Sequence, residues 1–158
     1  MGTAVITSQT TSDTSSDHLV KTTAKELVNG DTIFNVYGDI QILSLVSECY
    51  TPNDPTPATT LQYSVLTSRG STQTISGATT SLASKVAGST ITLSATSVLT
   101  ESPTLSDNGV SINTASRGVR VPTGSIKLVI GGGSSVGKYK HYIRYEPLEY
   151  GAYITPAF

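Results

Sequence analysis

The chain is short of charge and nearly free of sulfur. Only 13% of its 158 residues are Asp, Glu, Lys or Arg, about half the share usual in a soluble domain. A single cysteine, Cys49, excludes an intrachain disulfide framework and a cysteine-cluster metal site. Tryptophan is absent, and the two histidines, His18 and His141, are too far apart in sequence to read as a zinc site. Long runs of Ala, Leu, Glu and Lys are missing, which argues against a helical fold. No stretch approaches the roughly 20 apolar residues of a membrane-spanning helix. The net charge of −1 argues against nucleic acid as the main partner. The first residues, MGTAVITSQTTSDTSSDHL, have neither the basic start nor the apolar core of a secretory signal. Ile6 stands where a myristoylation pattern needs Ser or Thr. A soluble product made in a cytoplasm is expected.

What is present is a strand-forming composition. Thr favours strands, and Gly with Pro punctuates them. Residues 1–20 are Thr/Ser-rich with no hydrophobic period, so an extended or flexible N-terminal arm is expected, followed by one β domain over 21–158. Ala24–Val28 allows a short helical turn. Thr32–Tyr37, Ile40–Tyr50 and Thr60–Thr67 read as strands, with Ile40, Ile42 and Leu45 as core candidates and Leu61, Tyr63 and Val65 on one face. Gln73–Ile75, Ser81–Val86 and Thr90–Ser94 are shorter candidates, the second equally compatible with a helical turn. TPNDPTPATT (51–60) is a loop, and 95–117 is a long, weakly patterned connection. Strands 125–130 and 139–146, joined by glycines, read as a C-terminal hairpin over 125–146. A hydrophobic tail, GAYITPAF, comes after it. Eight to ten short strands with frequent turns predict an all-β fold: a single jelly-roll-like β-sandwich or barrel.

The glycine-rich joint contains Gly132 to Lys138, which matches the G-x-x-x-x-G-K part of a phosphate-binding loop. That loop needs a helix after it, and a Ser or Thr after the Lys for magnesium. Here Tyr139 comes after Lys138, and KYKHYIRYEP alternates as a strand does. Tyr139, His141, Ile143 and Tyr145 share one face; Lys140, Tyr142, Arg144 and Glu146 share the other. The nucleotide reading fails on its flanks. Cys49, inside an apolar strand, reads as a small buried hydrophobe, and His141 as a group that stacks or hydrogen-bonds within its strand. Asn53-Asp54 and Asp107-Asn108 lack the dense acidic loop of a calcium site and read as turns. No G-x-S-x-G elbow occurs. No catalytic residue, cofactor or metal ligand emerges.

Charge is unevenly spread. Residues 1–60 hold seven acids and two bases (−5), and residues 61–158 hold eight bases and four acids (+4). Either the fold interleaves the halves, or one copy's acidic part meets another's basic part. The candidate interface is the tyrosine- and base-rich end of the chain: Arg117, Arg120, Lys138, Tyr139, Lys140, Tyr142, Arg144, Tyr145, Tyr150 and Tyr153. Tyr and Arg are the residue types enriched in binding surfaces; Tyr139, Tyr142, Tyr145, Tyr150 and Tyr153 read equally as tyrosines that cover the hairpin's own core, and both readings can hold because the alternating faces cannot all point inward.

The segment 118–153, GVRVPTGSIKLVIGGGSSVGKYKHYIRYEPLEYGAY, resembles the C-terminal part of small structural proteins of tailed bacteriophages. The resemblance is carried by Val121, Pro122, Gly124, Ile126, Gly131–Gly133, Tyr145, Pro147, Leu148, Gly151 and Ala152. It implies a virion protein on the capsid surface: a decoration (cement) or minor capsid protein, often a trimer, with the major capsid protein and its own copies as partners. It implies no catalytic residues. The N-terminal arm has no counterpart in it. The rival reading is a carbohydrate-binding or adhesion module of a neck, tail or fibre, with tyrosines stacking on sugars. Replacing Lys138 by Ala is expected to shift stability by no more than about 0.5 kcal/mol. Calorimetric titration with magnesium–ATP is expected to show no binding for either protein to lose.

Overall fold

The computed structural model describes residues 18–70, 72–93, 104–106, 119–133 and 136–158. The arm expected over 1–20 lies outside them except for its last three residues, which belong to the first strand. Among the described residues there are twelve strands and no helix. In chain order they are β1 (His18–Lys21), β2 (Lys25–Glu26), β3 (Thr32–Tyr37), β4 (Ile40–Thr51), β5 (Thr60–Thr67) and β6 (Thr72–Thr74). Then come β7 (Thr90–Thr92), β8 (Thr104–Ser106), β9 (Val119–Val121), β10 (Gly124–Gly131), β11 (Lys138–Pro147) and β12 (Tyr153–Pro156). The larger sheet runs β1-β11-β4-β7-β8, with β2 also on β11 and β9 also on β4. The smaller runs β12-β3-β10-β5-β6. Every pairing is antiparallel. The two sheets share one core, so the fold is an all-β sandwich.

Alternation decides which side chains fill that core. Leu61, Tyr63 and Val65 of β5 are buried, as are Tyr139, His141, Ile143 and Tyr145 of β11. In β4 the period slips. Ile42 faces Tyr145 and Ser44 faces Arg144, so Leu43 is an extra residue; Tyr50 is another, between Cys49 and Thr51. Each extra residue is a β-bulge that turns the next side chains over. Ile40, Ile42, Leu45, Ser47 and Cys49 therefore all point inward, although 42 and 45 differ in parity.

The expected 125–146 hairpin does not form. β10 pairs with β3 and β5 in the smaller sheet, whereas β11 pairs with β1, β2 and β4 in the larger one. The glycine-rich joint is a crossing between sheets. It runs beside the proline loop 52–59, which carries β4 across to β5. The Thr59 hydroxyl donates to the Gly133 carbonyl at 2.9 Å. Gly132 has φ +74°, and a Cβ there would run into the Ala58 carbonyl oxygen. Close approach of two corners, not phosphate, explains the glycines.

Two shorter expectations are also corrected. The helical turn at 24–28 is absent: Lys25–Glu26 pairs with Lys138 and Tyr139. Only Leu27 of this stretch is buried in the core, so no helical stripe exists to stabilise a helix. Ser81–Val86 is neither strand nor helix but a turn, with Ser84 at φ 60°; Leu82 is buried and Val86 is 55% exposed. The Asp107-Asn108 turn lies outside the described residues. Gly132→Ala is expected to destabilise the domain by at least about 2 kcal/mol, because it adds both left-handed strain and a backbone clash. Urea denaturation beside Gly30→Ala, where φ is +83° but nothing lies within 4 Å, separates the clash from the strain.

Candidate functional site

The most chemically suggestive cluster is internal. Ser47 on β4 contacts His141 Nδ1 on β11 at 2.7 Å, and the same Ser47 hydroxyl contacts the Tyr63 hydroxyl on β5 at 2.7 Å. The His141 backbone N–H donates to the Thr22 hydroxyl at 3.0 Å, and the Thr22 N–H donates back to the His141 carbonyl at 2.9 Å. The Phe158 ring meets the imidazole edge-on at 6.2 Å. A serine against a histidine nitrogen has the spacing of a nucleophile and its base. However, Ser47 is 0% exposed and His141 1%, so no substrate reaches the pair. Burial lowers the His141 pKa to about 3 and raises that of Tyr63 well above its usual range. All three stay neutral at physiological pH and act as a hydrogen-bonded plug in an apolar core.

Cys49 is buried, with its thiol directed at the Thr51 carbonyl at 3.3 Å; burial pushes its pKa up. The Tyr139 hydroxyl is enclosed close to Cys49 and Asn53, and burial raises its pKa strongly. Asn53 donates its side-chain N–H to the Leu82 carbonyl at 2.8 Å and is buried beneath the 82–88 turn. Asn53 and Asp54 do not form the expected turn: Asn53 N–H donates to the Lys85 carbonyl at 2.9 Å and Ser84 N–H to the Asp54 carbonyl at 3.0 Å, tying the proline loop to the 82–88 segment. Among the described residues no three His, Cys, Asp or Glu side chains converge on a possible metal position.

The ten expected interface residues separate by parity. Tyr139 and Tyr145 are 1% and 4% exposed and belong to the core, so they leave the candidate interface. Their strand has only one outward face, and they are on the other. Lys138, Lys140, Tyr142 and Arg144 lie on the outward face of the larger sheet. There Lys140 Nζ sits 4.1 Å from the centroid of Tyr50. The Tyr142 hydroxyl donates to Glu48 Oε2 at 3.0 Å, and partial burial with that contact raises its pKa. Arg120 pairs with Asp39. Arg117 lies outside the described residues.

Tyr150 and Tyr153 form a second surface, at the end of the sandwich. Tyr153 stacks on Tyr37 at 4.7 Å with the rings 19° apart, and Tyr150 is fully exposed beside Leu148. Two turns build this end. Leu148 N–H donates to the Asp39 carbonyl, and Asp39 N–H to Glu149 Oε1, both at 2.9 Å. Gly38, at φ +83°, has no room for a Cβ against Glu149 and Ala152. Tyr37, Asp39, Tyr50, Leu148 and Glu149 were missed as surface residues. Tyr37 and Asp39 flank a visible Gly turn, and Tyr50 comes after an inward cysteine, so parity offered a signal for those three. The two charge-skewed halves interleave where they can be followed: Arg120 meets Asp39, and Lys140 stands opposite Glu48.

No family model and no curated protein matches the sequence. One solved structure, that of infectious bursal disease virus Gx strain, aligns with 87% of this chain and 38% of its own, at 11% identity and a TM-score of 0.28. This chain thus spans well under half of that one, and so low a score supports no conclusion about fold or function.

The buried imidazole sets a pH dependence. Unfolded, it titrates near 6.5; folded, it stays neutral down to about 3. Between those values the unfolded state binds the extra proton, so stability falls as pH drops through this window. This group contributes up to about 1.4 kcal/mol per pH unit. His141→Asn is expected to lower stability at neutral pH and to flatten the decline on acidification. Urea titrations of both proteins across the window measure the difference in slope.

Proposed function

We propose that the chain is a non-enzymatic structural protein of a tailed-phage virion, a decoration or cement protein that binds the outer capsid surface and stabilises it as a homotrimer. The carrying observation is the strand order. Leaving aside the short β2, β8 and β9 and the terminal β12, the sheets read β1-β11-β4-β7 and β3-β10-β5-β6. We read this order as a jelly roll, the two-Greek-key sandwich found in viral capsid and lectin domains. The resemblance of residues 118–153 to phage virion proteins points the same way. Fold alone does not assign function, but the surface is compatible with this one. The outward tyrosines, lysines and arginines suit protein contact, and symmetry multiplies a modest contact over many equivalent shell positions. The major capsid protein and further copies of this chain are the partners in this reading.

One observation favours a second reading. Tyr37, Tyr150 and Tyr153 expose aromatic rings at one end, as a sugar-binding module of a neck, tail or fibre would. Copy number separates the two. Quantitative mass spectrometry of purified particles of the phage that encodes the chain is expected to give copies comparable in number to the major capsid protein. A copy number typical of a tail or fibre component would transfer the assignment to the adhesion module.

A further inference from the structure

The turn that leads into β3 contains the pair Asn29-Gly30. We propose that Asn29 is a self-modification site: its side-chain amide converts through a cyclic imide to aspartate and isoaspartate when this turn releases β10, and the folded chain holds the reaction off. The inference stands apart from the virion reading.

Asparagine is a thermolabile residue type, and its reaction here needs only two neighbouring groups and solvent water. The Gly30 backbone nitrogen, having lost its proton to base, attacks the Asn29 side-chain carbonyl carbon. A C–N bond forms and closes a cyclic imide. The bond from that carbon to Nδ2 breaks, and the amide nitrogen takes a proton from water and leaves as ammonia. Water then adds to one of the two imide carbonyls. Opening at the side-chain carbonyl gives aspartate. Opening at the main-chain carbonyl gives isoaspartate, whose backbone runs through Cβ and Cγ and is one atom longer. Nothing is oxidised or reduced.

Both reacting groups face solvent, yet both are engaged. Asn29 and Gly30 are exposed, and a Cβ at Gly30 would meet nothing within 4 Å, so no side chain obstructs the attack once the turn opens. In the fold, Gly30 N–H donates to the Leu128 carbonyl at 2.9 Å, and Ile130 N–H donates to Asn29 Oδ1 at 2.9 Å. Leu128 N–H donates to the Asp31 carbonyl at 2.9 Å, and Asp31 N–H closes the turn onto the Val28 carbonyl at 3.1 Å. The nucleophile is thus held in its protonated form, and the electrophile is tethered by its oxygen to β10. The turn prolongs the pairing of β3 with β10 beyond Thr32 and Lys127, the last register partners. Asn29 supplies one rung with its side chain where a strand would use a backbone carbonyl.

The two products differ in what they leave of this clasp. Aspartate keeps an oxygen for the Ile130 N–H and an unaltered backbone. Isoaspartate inserts a methylene into the main chain ahead of Gly30 and moves the Gly30 N–H out of line with the Leu128 carbonyl. Isoaspartate is therefore a one-way mark on chains that have spent time with this end of the smaller sheet open.

Peptide mapping of the full chain by mass spectrometry tests this, with position 29 read separately from the second Asn-Gly pair at 108–109. Folded chain and chain unfolded in guanidinium chloride are incubated at the same mildly alkaline pH and temperature. Both products are expected at position 29 in the unfolded chain. The folded chain is expected to convert about tenfold or more slowly, in proportion to how seldom the clasp opens. Amide exchange at Gly30 measures that opening directly and is expected to show protection. The Asn29→Asp variant is expected to unfold at the same denaturant concentration as the parent, and the isoaspartate fraction, separated by chromatography, at a lower one. Equal conversion in the two states, no isoaspartate at position 29 in the unfolded chain, an unprotected Gly30 amide, or an isoaspartate fraction as stable as the parent overturns the inference.

Discussion

Two sheets that pack face to face are held at their centre by one buried polar chain, Tyr63–Ser47–His141–Thr22. A hydroxyl or imidazole buried without a partner costs about 1–3 kcal/mol. Ser47 satisfies both the Tyr63 hydroxyl and the His141 imidazole, and the Thr22 hydroxyl accepts from the His141 backbone N–H, only when β5, β4, β11 and the residue after β1 are in register at the same time. A one-residue slip would send each of these side chains to solvent and replace it with a neighbour of the wrong kind. The chain therefore makes the relative position of the sheets specific, which apolar contacts alone would leave looser. It also fixes the C-terminal tail, because Phe158 packs against the imidazole and its carbonyl accepts from Thr23 N–H at 3.3 Å.

With the sheets held in place, the crossings are determined. β4 to β5 and β10 to β11 change sheet at the same end, and their loops stack. Gly132 is required there because Ala58 leaves no space for a side chain. At the far end, the Asp39 and Leu148 turns lock together in a similar way and raise the aromatic cluster into solvent. Along one side the Tyr145 hydroxyl caps Ile154 and closes the gap between the sheets. Each of these ends is a consequence of the central register and has no independent stability: a turn holds its partner only if the strands deliver both to the same place.

Surface character comes from the same parity. Once His141 is inward, Lys140, Tyr142 and Arg144 must be outward, and the sheet presents a stripe of cations and rings. Once Tyr145 is inward, it is lost as a contact residue but becomes the cap for β12. Binding surface and core share one strand, and a single period of two divides them.

Much of this was legible in the sequence. Thr-rich alternation with frequent turns determined an all-β fold, the limits of β3 and β5 and the two faces of β11, because pleat period is a local property; the burial of Cys49, Ile40, Ile42 and Leu45 was legible from side-chain hydrophobicity alone, since bulges in β4 break its period. Failure of the phosphate-loop match was equally local, since it turned on the residue after Lys138 and the strand beyond it. Tertiary structure alone decided the rest. Whether β10 and β11 pair or part depends on which strands compete for each edge, and no short stretch of chain contains that competition. Ser47 showed no signal because its imidazole partner, His141, is 94 positions away in the chain. Tyr63 reaches Ser47 only across the gap between the sheets. The joining of Tyr37 with Tyr150 and Tyr153 likewise required the smaller sheet to place β12 beside β3, a long-range pairing that sequence periodicity does not encode.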